Sequence, residues 1–346
     1  MMAECKSVNH ESVNERKTDQ EGVEHLLDVD SLSVDFKTDY GLVRANRSVS
    51  LCLDAGHTHG LVGESGCGKS VFCRAILRLL PSPPAIIQGN AVRYAGEDLL
   101  TASEKRIREI RGTELGMIFQ NPMTSLNPVW PIGDQVTESL RVHKKLKARE
   151  ARQRGVDLLT KVGIPSPRRR YDEYPHQWSG GMLQRAVIAM AMAGSPRLLL
   201  ADEPTTALDV TIQDQILALL LELQRKENMS LLLVSHDMAV IAETCDRVAV
   251  MYAGILVETG TTEAIFANPK HPYTLGLMRS IPRISEEVDR LNSIPGQPPE
   301  LLLMGAECPF EPRCEYAGRE CRHERIELKE IEPGHSSACL FPERVA

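Results

Sequence analysis

The sequence predicts an α/β fold in which a sheet is interrupted by helices. Short apolar runs at residues 198–201, 231–234 and 248–251 have the length of buried strands, and helical segments such as 216–223 separate them. A further apolar pair, Leu61-Val62, precedes a glycine-rich segment, and the apolar residues after that segment have helical spacing. A strand, a glycine loop and a helix in this order are typical of α/β proteins that bind phosphate groups.

Other regions flank or interrupt this alternation. Residues 32–36 and 47–53 alternate between apolar and polar side chains, which predicts antiparallel strands that open the domain. Residues 121–195 have mostly helical patterns and predict an inserted helical subdomain. After about residue 262 the chain becomes proline-rich and irregular, which predicts a separate C-terminal domain over 263–346. Residues 1–27 are polar and charged, and we expect a disordered extension there.

Length and composition narrow the possible classes of protein. A chain of 346 residues can bury a full core, so it is not a small scaffold that depends on disulfides. Its longest apolar run, from Val248 to Val257, is too short to cross a bilayer, so we expect any membrane role to be that of a peripheral subunit. The first residues lack the apolar core of a signal peptide, which indicates a cytosolic protein. The net charge of −7 argues against a nucleic-acid partner.

The glycine-rich segment has the composition of a phosphate-binding loop. Its glycines permit backbone conformations in which successive N–H groups point at phosphate oxygens, and the following helix adds its positive end. The lysine can reach the β- and γ-phosphates, and the last serine offers its hydroxyl to Mg²⁺. We therefore predict that ATP with Mg²⁺ binds at Gly63, Glu64, Ser65, Gly66, Cys67, Gly68, Lys69 and Ser70.

Cys67 has a second predicted property. It lies close to Lys69 and to a helix N-terminus, both of which favour a thiolate. We expect maleimide to inactivate the protein and MgATP to protect it.

Polar residues follow the other apolar runs in the same way as the loop follows Leu61-Val62. Gln120 comes after one run, Asp202 and Glu203 after a second, and His236 after a third. Because the carboxyl ends of parallel strands meet at one edge of a sheet, we expect these residues to lie together. Asp202 then holds the Mg²⁺ shell, Glu203 polarises the attacking water and His236 senses the γ-phosphate. Alone, the acidic pair is more often a strand end and His236 a packed loop histidine; their order along the chain favours catalysis.

A second glycine turn lies at Ser179-Gly180-Gly181. Ser179 can cap a helix that begins at Met182, and the exposed N–H groups form a second anion site. An ordinary helix start explains the serine but not the two glycines.

These motifs together resemble the ATPase domain of ABC transporters over residues 28–262. The resemblance rests on the phosphate loop, Gln120, the turn at 178–182, Asp202-Glu203, the segment 207–209 and His236, in this order. It implies a P-loop NTPase fold of the ABC type with an inserted helical subdomain, an antiparallel β subdomain and a small Cys-rich C-terminal domain. Trp178 and Met182 stand where leucine and glutamine are commonest in that family.

The resemblance also implies roles for individual residues. Phe36 corresponds to the aromatic side chain that stacks on adenine, with Tyr40 as the fallback. Gln120 joins Mg²⁺ to the transport subunit. The turn at 179–181 contacts the γ-phosphate of ATP bound to an opposite subunit, and Asp209 is placed among the nucleotide-binding residues.

Within this family, residues 120–128, 174–177 and 268–274 resemble the ATP-binding subunits of bacterial dipeptide and oligopeptide importers. Such a subunit lies under two membrane permeases on the cytoplasmic face of the inner membrane, in a head-to-tail dimer with a related ATPase or with itself. An extracytoplasmic solute-binding protein delivers the peptide. Importers of nickel and other small solutes share these features, so the cargo stays open. A soluble ABC ATPase is the alternative class, although its usual second ATPase domain, coiled-coil insert or basic arm is not visible here.

Four cysteines lie near the end of the chain: Cys308, Cys314, Cys321 and Cys339. In a chain without a signal peptide thiols stay reduced, so soft-metal ligation is the alternative to four unrelated cysteines. The spacing fits neither the usual zinc pairs nor a ferredoxin. Several of the peptide-importer ATPases look to carry an iron–sulfur cluster in this region, and the resemblance therefore implies a [4Fe–4S] cluster.

Overall fold

A computed structural model describes residues 25–206, 208–281, 294–302 and 304–345. Most of the predicted N-terminal extension therefore lies outside the described residues, but residues 25–27, which we assigned to it, already belong to the first strand. The strands are β1 (His25–Thr38), β2 (Gly41–Asp54), β3 (Thr58–Val62), β4 (Ala85–Gln88), β5 (Ala91–Tyr94), β6 (Glu97–Asp98), β7 (Leu115–Ile118), β8 (Leu198–Asp202), β9 (Ser230–Ser235), β10 (Arg247–Tyr252), β11 (Ile255–Thr261), β12 (Lys329–Glu332) and β13 (His335–Ser337).

The α-helices lie between and after these strands. They are α1 (Lys69–Ile76), α2 (Glu104–Ile110), α3 (Pro122–Ser125), α4 (Ile132–Val136), α5 (Glu138–His143), α6 (Ala148–Lys161), α7 (Pro167–Arg170), α8 (Gly180–Met192), α9 (Val210–Glu227), α10 (Met238–Thr244), α11 (Thr262–Ala267) and α12 (Pro272–Arg279). Short 3₁₀ helices cover Pro175–Gln177, Glu311–Arg313, Glu320–Arg322 and Pro342–Arg344.

The central sheet has the order β12-β13-β11-β10-β3-β9-β8-β7. Its strands β10, β3, β9, β8 and β7 pair in parallel, whereas β11, β12 and β13 add an antiparallel edge. Every residue of β3 and β8 is buried, as expected of parallel strands covered on both faces. The predicted α/β sheet is thus confirmed, and it places the ends of β3, β7, β8 and β9 along one edge.

A second sheet is antiparallel. It has the order β2-β1-β5-β6, and β4 also pairs with β1. Leu27 and Val29 of β1 share one core with Phe72 and Ile76 of α1, so this sheet packs on the helix that follows the glycine-rich loop. The opening antiparallel strands were predicted, although the structure extends both of them.

The segment between β7 and β8 carries helices α3 to α8 and no strand. Tyr171 is buried at its centre, and its hydroxyl lies 3.1 Å from Oγ1 of Thr137. The ring fills space that side chains at Gly133 and Gly155 would occupy, since a Cβ there would lie 2.2 Å and 2.6 Å from ring atoms. The helical content agrees with the sequence, and the subdomain boundaries stay a prediction.

The C-terminal part joins the central sheet. Strand β13 pairs with β11, and Phe310 is buried in the same core as Tyr252 of β10 and Tyr273 of α12. A separate Cys-rich domain is therefore not confirmed by the described residues. None of the helices within the described ranges is long and apolar enough to cross a membrane.

Candidate nucleotide site

The glycine-rich loop connects β3 to α1, as predicted. Gly68 has φ +108°, and a Cβ there would lie 2.4 Å from the carbonyl oxygen of Ala45. A Cβ at Gly63 would lie 2.1 Å from the carbonyl oxygen of Met251. The loop therefore follows a path between β2 and β10 that only glycine permits at these two positions.

Lys69 lies across the loop. Its side chain is 4% exposed, and Nζ donates to the carbonyl oxygens of Gly63 at 2.6 Å and Glu64 at 3.0 Å. The same nitrogen is 3.7 Å from Oε1 of Glu203. The loop lysine is thus already positioned between the loop and the end of β8.

Ser70 and Asp202 form a pair suited to Mg²⁺. The Ser70 hydroxyl donates to Oδ1 of Asp202 at 2.8 Å. Asp202 is fully buried, its Oδ2 has no hydrogen-bond partner among the described residues, and burial raises its pKa. A hydroxyl beside an unpartnered carboxylate oxygen is the kind of donor set that Mg²⁺ prefers, so these residues fit the predicted ion.

Glu203 contacts three of the other predicted site residues, Gln120, His236 and Lys69. Its Oε2 accepts from Nε2 of Gln120 at 2.9 Å and from the hydroxyl of Thr206 at 3.0 Å, and it lies 3.4 Å from Nδ1 of His236. His236, Thr206 and Lys69 together lower the pKa of Glu203 to about 2, with His236 the largest cause. In return, Glu203 raises the pKa of His236. The expectation that the strand ends bring these residues together is confirmed, whereas their chemical roles stay predictions.

The prediction that Cys67 is a reactive thiolate is wrong, whereas its contact with nucleotide stays a prediction. The residue is 5% exposed, and burial raises the pKa of its thiol even though Lys69 Nζ lies 3.9 Å from the sulfur. Desolvation of a thiolate outweighs the nearby positive charge. We therefore do not expect the selective maleimide reaction.

The turn at Ser179 lies on the surface. Helix α8 begins at Gly180 rather than at Met182, and Ser179 Oγ accepts from the Met182 N–H at 3.4 Å. Ser179 and Gly180 are exposed, while a Cβ at Gly181 would lie 2.9 Å from Ile212 of α9. Packing on α9 thus explains one glycine, and the turn makes no hydrogen bond to the phosphate loop within the part of the chain that the structure describes.

The other residues predicted to contact nucleotide are Phe36, Tyr40 and Asp209, which lie on β1, after β1 and before α9. Phe36 is half-buried in β1, where it pairs with Val43 and Ala85, and Tyr40 is 89% exposed. Asp209 caps α9, since its Oδ1 accepts from the Ile212 N–H at 3.0 Å. Their contacts with nucleotide stay predictions.

The four C-terminal cysteines lie around one cavity. Cys308, Cys314, Cys321 and Cys339 line a space of about 20 Å³, and burial raises the pKa of Cys308 to about 12 and of Cys339 to about 11. Across the described ranges, no group of three or more His, Cys, Asp or Glu side chains is arranged to hold a metal ion. The structure therefore groups the thiols but does not confirm the predicted cluster.

Two partners of the loop were not found from the sequence. Arg313 binds the carboxylate of Glu64, and the Tyr273 hydroxyl accepts from the Glu64 N–H at 2.8 Å. The Arg313–Glu64 pair is separated by 249 residues, so no local spacing signals it. Thr206, which binds Glu203, was also missed; its position three residues after Glu203 was the available signal.

Comparison with known proteins identifies the family. Residues 46–206 match the family described as ABC transporter, and residues 257–321 match the C-terminal region of oligopeptide/dipeptide transporters. The oligopeptide transport ATP-binding protein OppD of Bacillus subtilis (strain 168) is 51% identical over 296 residues, which cover 85% of this chain and 83% of that protein. The chain belongs to the ATP-binding proteins of ABC transporters.

Other relatives of this ABC ATPase agree with that assignment. The dipeptide transport ATP-binding protein DppD of Escherichia coli (strain K12) is 49% identical over 317 residues, which cover 92% of this chain and 97% of that protein. The solved dimeric structure of MJ0796, described as a bacterial ABC transporter cassette, matches with a TM-score of 0.61 at 26% identity, covering 68% of this chain and 98% of that one. The predicted ABC family and ATPase class are confirmed.

Proposed function

We propose that this ABC ATPase hydrolyses ATP to drive the import of dipeptides or oligopeptides through membrane permeases. The observation that carries the proposal is the position of Glu203 at the end of β8, in contact with Gln120 and His236 and 3.7 Å from Lys69. The names of the relatives, which refer to oligopeptide and dipeptide transport, support the cargo.

Different residues of the site bind the phosphates, hold Mg²⁺ and activate water in this proposal. Lys69 exchanges its carbonyl partners for phosphate oxygens, and the loop N–H groups bind the remaining oxygens. Ser70, Asp202 and Gln120 are the proposed holders of Mg²⁺, which neutralises charge on the phosphates when bound. Glu203 accepts a proton from the attacking water, and His236 contacts the γ-phosphate.

A second ATPase completes the site in this proposal. Ser179 and Gly180 are exposed at the start of α8, where their N–H groups can reach phosphate on an opposite subunit. Phe36 and Asp209 complete the proposed contacts with nucleotide. The subunit acts at the cytoplasmic face of the inner membrane, peripheral to two permeases that an extracytoplasmic solute-binding protein supplies. The dimeric cassette among the similar structures supports this arrangement.

The four thiols are proposed to hold a [4Fe–4S] cluster. Their support is the donor set, because four cysteines, one buried and three half-buried, line one cavity and thiolates are the ligands of iron–sulfur clusters. The role would be structural or redox-sensing, since ATP hydrolysis requires no electron transfer.

Reconstitution tests the transport proposal. The ATPase, co-expressed with two permeases and a partner ATPase of a peptide importer and supplied with the solute-binding protein, should drive ATP-dependent uptake of a radiolabelled dipeptide into vesicles loaded with MgATP. A complex carrying Glu203→Gln is the matched control and should show none. Failure to co-purify with permeases, together with unchanged ATP turnover in their presence, would refute coupling, and uptake of Ni²⁺ instead of peptide would refute the cargo.

A further inference from the structure

Glu64 of the phosphate loop is held by the C-terminal part of the chain. Nη1 of Arg313 donates to Oε2 at 2.7 Å, and Nη2 donates to Oε1 at 3.0 Å. The Arg313 side chain is 5% exposed and that of Glu64 26% exposed. Because a bidentate pair between arginine and a carboxylate fixes orientation as well as distance, it restrains the second residue of the loop.

Arg313 is itself fixed by its surroundings. Its Nε donates to the carbonyl oxygen of Pro295 at 2.8 Å, and its Nη1 also donates to the Tyr252 hydroxyl at 3.2 Å. The guanidinium lies 5.8 Å from the ring centre of Tyr252 and 5.9 Å from that of Phe310. The Arg313 side chain is therefore held in place on its own side of the pair and cannot readily move with Glu64 if the loop moves.

The backbone of Glu64 has a second attachment from the same side. Its N–H donates to the hydroxyl of Tyr273 at 2.8 Å, and Tyr273 is fully buried. The Tyr273 ring centre lies 4.6 Å from that of Tyr252 and 5.4 Å from that of Phe310. One aromatic cluster thus supports both groups that hold Glu64.

The same segment forms a wall of the cysteine-lined cavity. Arg313 ends the 3₁₀ helix Glu311–Arg313, and its chain neighbour Cys314 lines the cavity together with Cys308 and Phe310. A space of about 20 Å³ has room for about one water molecule. Any larger group held by the thiols must therefore move these walls, and one of them carries Arg313.

We propose that Arg313 is a positioning residue for the phosphate loop and that it makes nucleotide binding depend on what the cysteine-lined cavity holds. This inference rests on the proposed function, because it takes ATP as the ligand of the loop. Arg313 acts in two ways: it orders the loop before nucleotide arrives, and it neutralises the Glu64 carboxylate, which would otherwise repel the triphosphate.

Binding of the non-hydrolysable analogue AMP-PNP with Mg²⁺ to the full chain, measured by calorimetry, tests the first part. Arg313→Gln should raise the Kd about tenfold, because it leaves the Glu64 charge unpaired beside the phosphates. Adding Glu64→Gln should restore the Kd to within about threefold of wild type, since the repelling charge is then gone. Arg279→Gln is the matched control, because it breaks an exposed pair with Glu315 in the same region and should leave the Kd unchanged.

The double variant separates neutralisation of the Glu64 charge from a general structural role of Arg313. If Arg313 only stabilised the fold, the double variant would bind at least as weakly as Arg313→Gln, and that result would overturn the proposal. An unchanged Kd in Arg313→Gln would overturn it equally. Absence of binding in the wild type would instead refute the proposed function. Thermal unfolding of each variant establishes that it is folded.

Filling the cavity from a residue that is not a cysteine tests the second part with all four thiols left in place. Ile326→Phe, or Leu340→Phe if the first variant fails to fold, adds volume inside the cavity and should change the Kd for AMP-PNP at least about threefold. The same substitution in the Glu64→Gln/Arg313→Gln background should leave the Kd unchanged, because the connection is broken. Equal changes in both backgrounds, or no change in either, would overturn the dependence on the cavity.

Discussion

Replacing Glu203 with glutamine should abolish turnover and leave ATP binding intact. The amide keeps the shape of the side chain, and its oxygen can still accept from Gln120 and Thr206, which contact Oε2 in the wild type. What is lost is the proton acceptor for water. Because a positioned general base contributes about 10²- to 10⁴-fold, the barrier should rise by about 3 to 5 kcal/mol.

The same substitution has a calculable effect on stability. The pKa of Glu203 is lowered from the ordinary 4.5 to about 2, which corresponds to at most about 3 kcal/mol of stabilisation at neutral pH. The value is an upper limit because His236 is 59% exposed and solvent screens the pair. Since the folded-state pKa is lowered, this stabilisation is present above pH 4.5 and is lost as the pH falls towards 2.

Three measurements examine this prediction. Single-turnover phosphate release gives the rate, calorimetry with MgATP gives the affinity, and urea unfolding at several pH values gives the stability difference. That difference between wild type and Glu203→Gln should shrink as the pH falls from about 4.5 to 2. A variant that hydrolyses ATP at the wild-type rate would refute Glu203 as the base, and a difference independent of pH would refute the ionised contacts.

Further predictions concern the loop, the dimer and the cysteines. Gly68→Ala should lower the free energy of unfolding by about 2 to 4 kcal/mol, because its Cβ would lie 2.4 Å from a carbonyl oxygen. Gly66→Ala, at φ +81° but with open space around the Cβ, should lower it by only about 1 kcal/mol. Equal losses in the two variants, measured by thermal unfolding, would contradict the clash at Gly68. In the Glu203→Gln background we expect ATP to induce a dimer that light scattering can detect, and Ser179→Arg should prevent it. A dimer that persists in Ser179→Arg would count against the proposed contact of this turn with the opposite nucleotide. Anaerobically purified wild type should contain iron and acid-labile sulfide, and Cys321→Ser should lose most of both; a wild type without iron would end the cluster proposal.

The edge of the parallel sheet could be predicted because its signal is local. Gln120, Glu203 and His236 each follow an apolar run, and parallel strands place such positions together. The role of Ser179 as a helix cap was predicted from residue type and position, whereas that of Asp209 was not. Pattern and order along the chain therefore defined most of the site.

The burial of side chains and the pairs between distant segments could not be predicted from local sequence patterns. The positive charge near Cys67 is visible in the sequence, but the burial that raises its pKa depends on how the loop packs in three dimensions. The pair between Glu64 and Arg313 joins segments 249 residues apart, and neither residue has a neighbour that signals the other. Strand β1 includes residues 25–31, ahead of the predicted 32–36, because their pairing with β2 does not require an alternating pattern.

The strength of Glu203 as a base is connected to phosphate binding through the contacts that lower its pKa. A carboxylate with a pKa of about 2 is a weak base, and general bases work best with a pKa near the working pH. Two of the groups that lower the pKa of Glu203 are Lys69, which is positively charged, and His236, which becomes positively charged when protonated. Both are proposed to turn towards phosphate when nucleotide binds. Each contact that moves to a phosphate oxygen weakens its hold on Glu203 and raises the pKa of the carboxyl. In the proposed mechanism, phosphate binding therefore strengthens the base that accepts the proton of the attacking water, and Glu203 becomes an effective proton acceptor once the nucleotide has engaged Lys69.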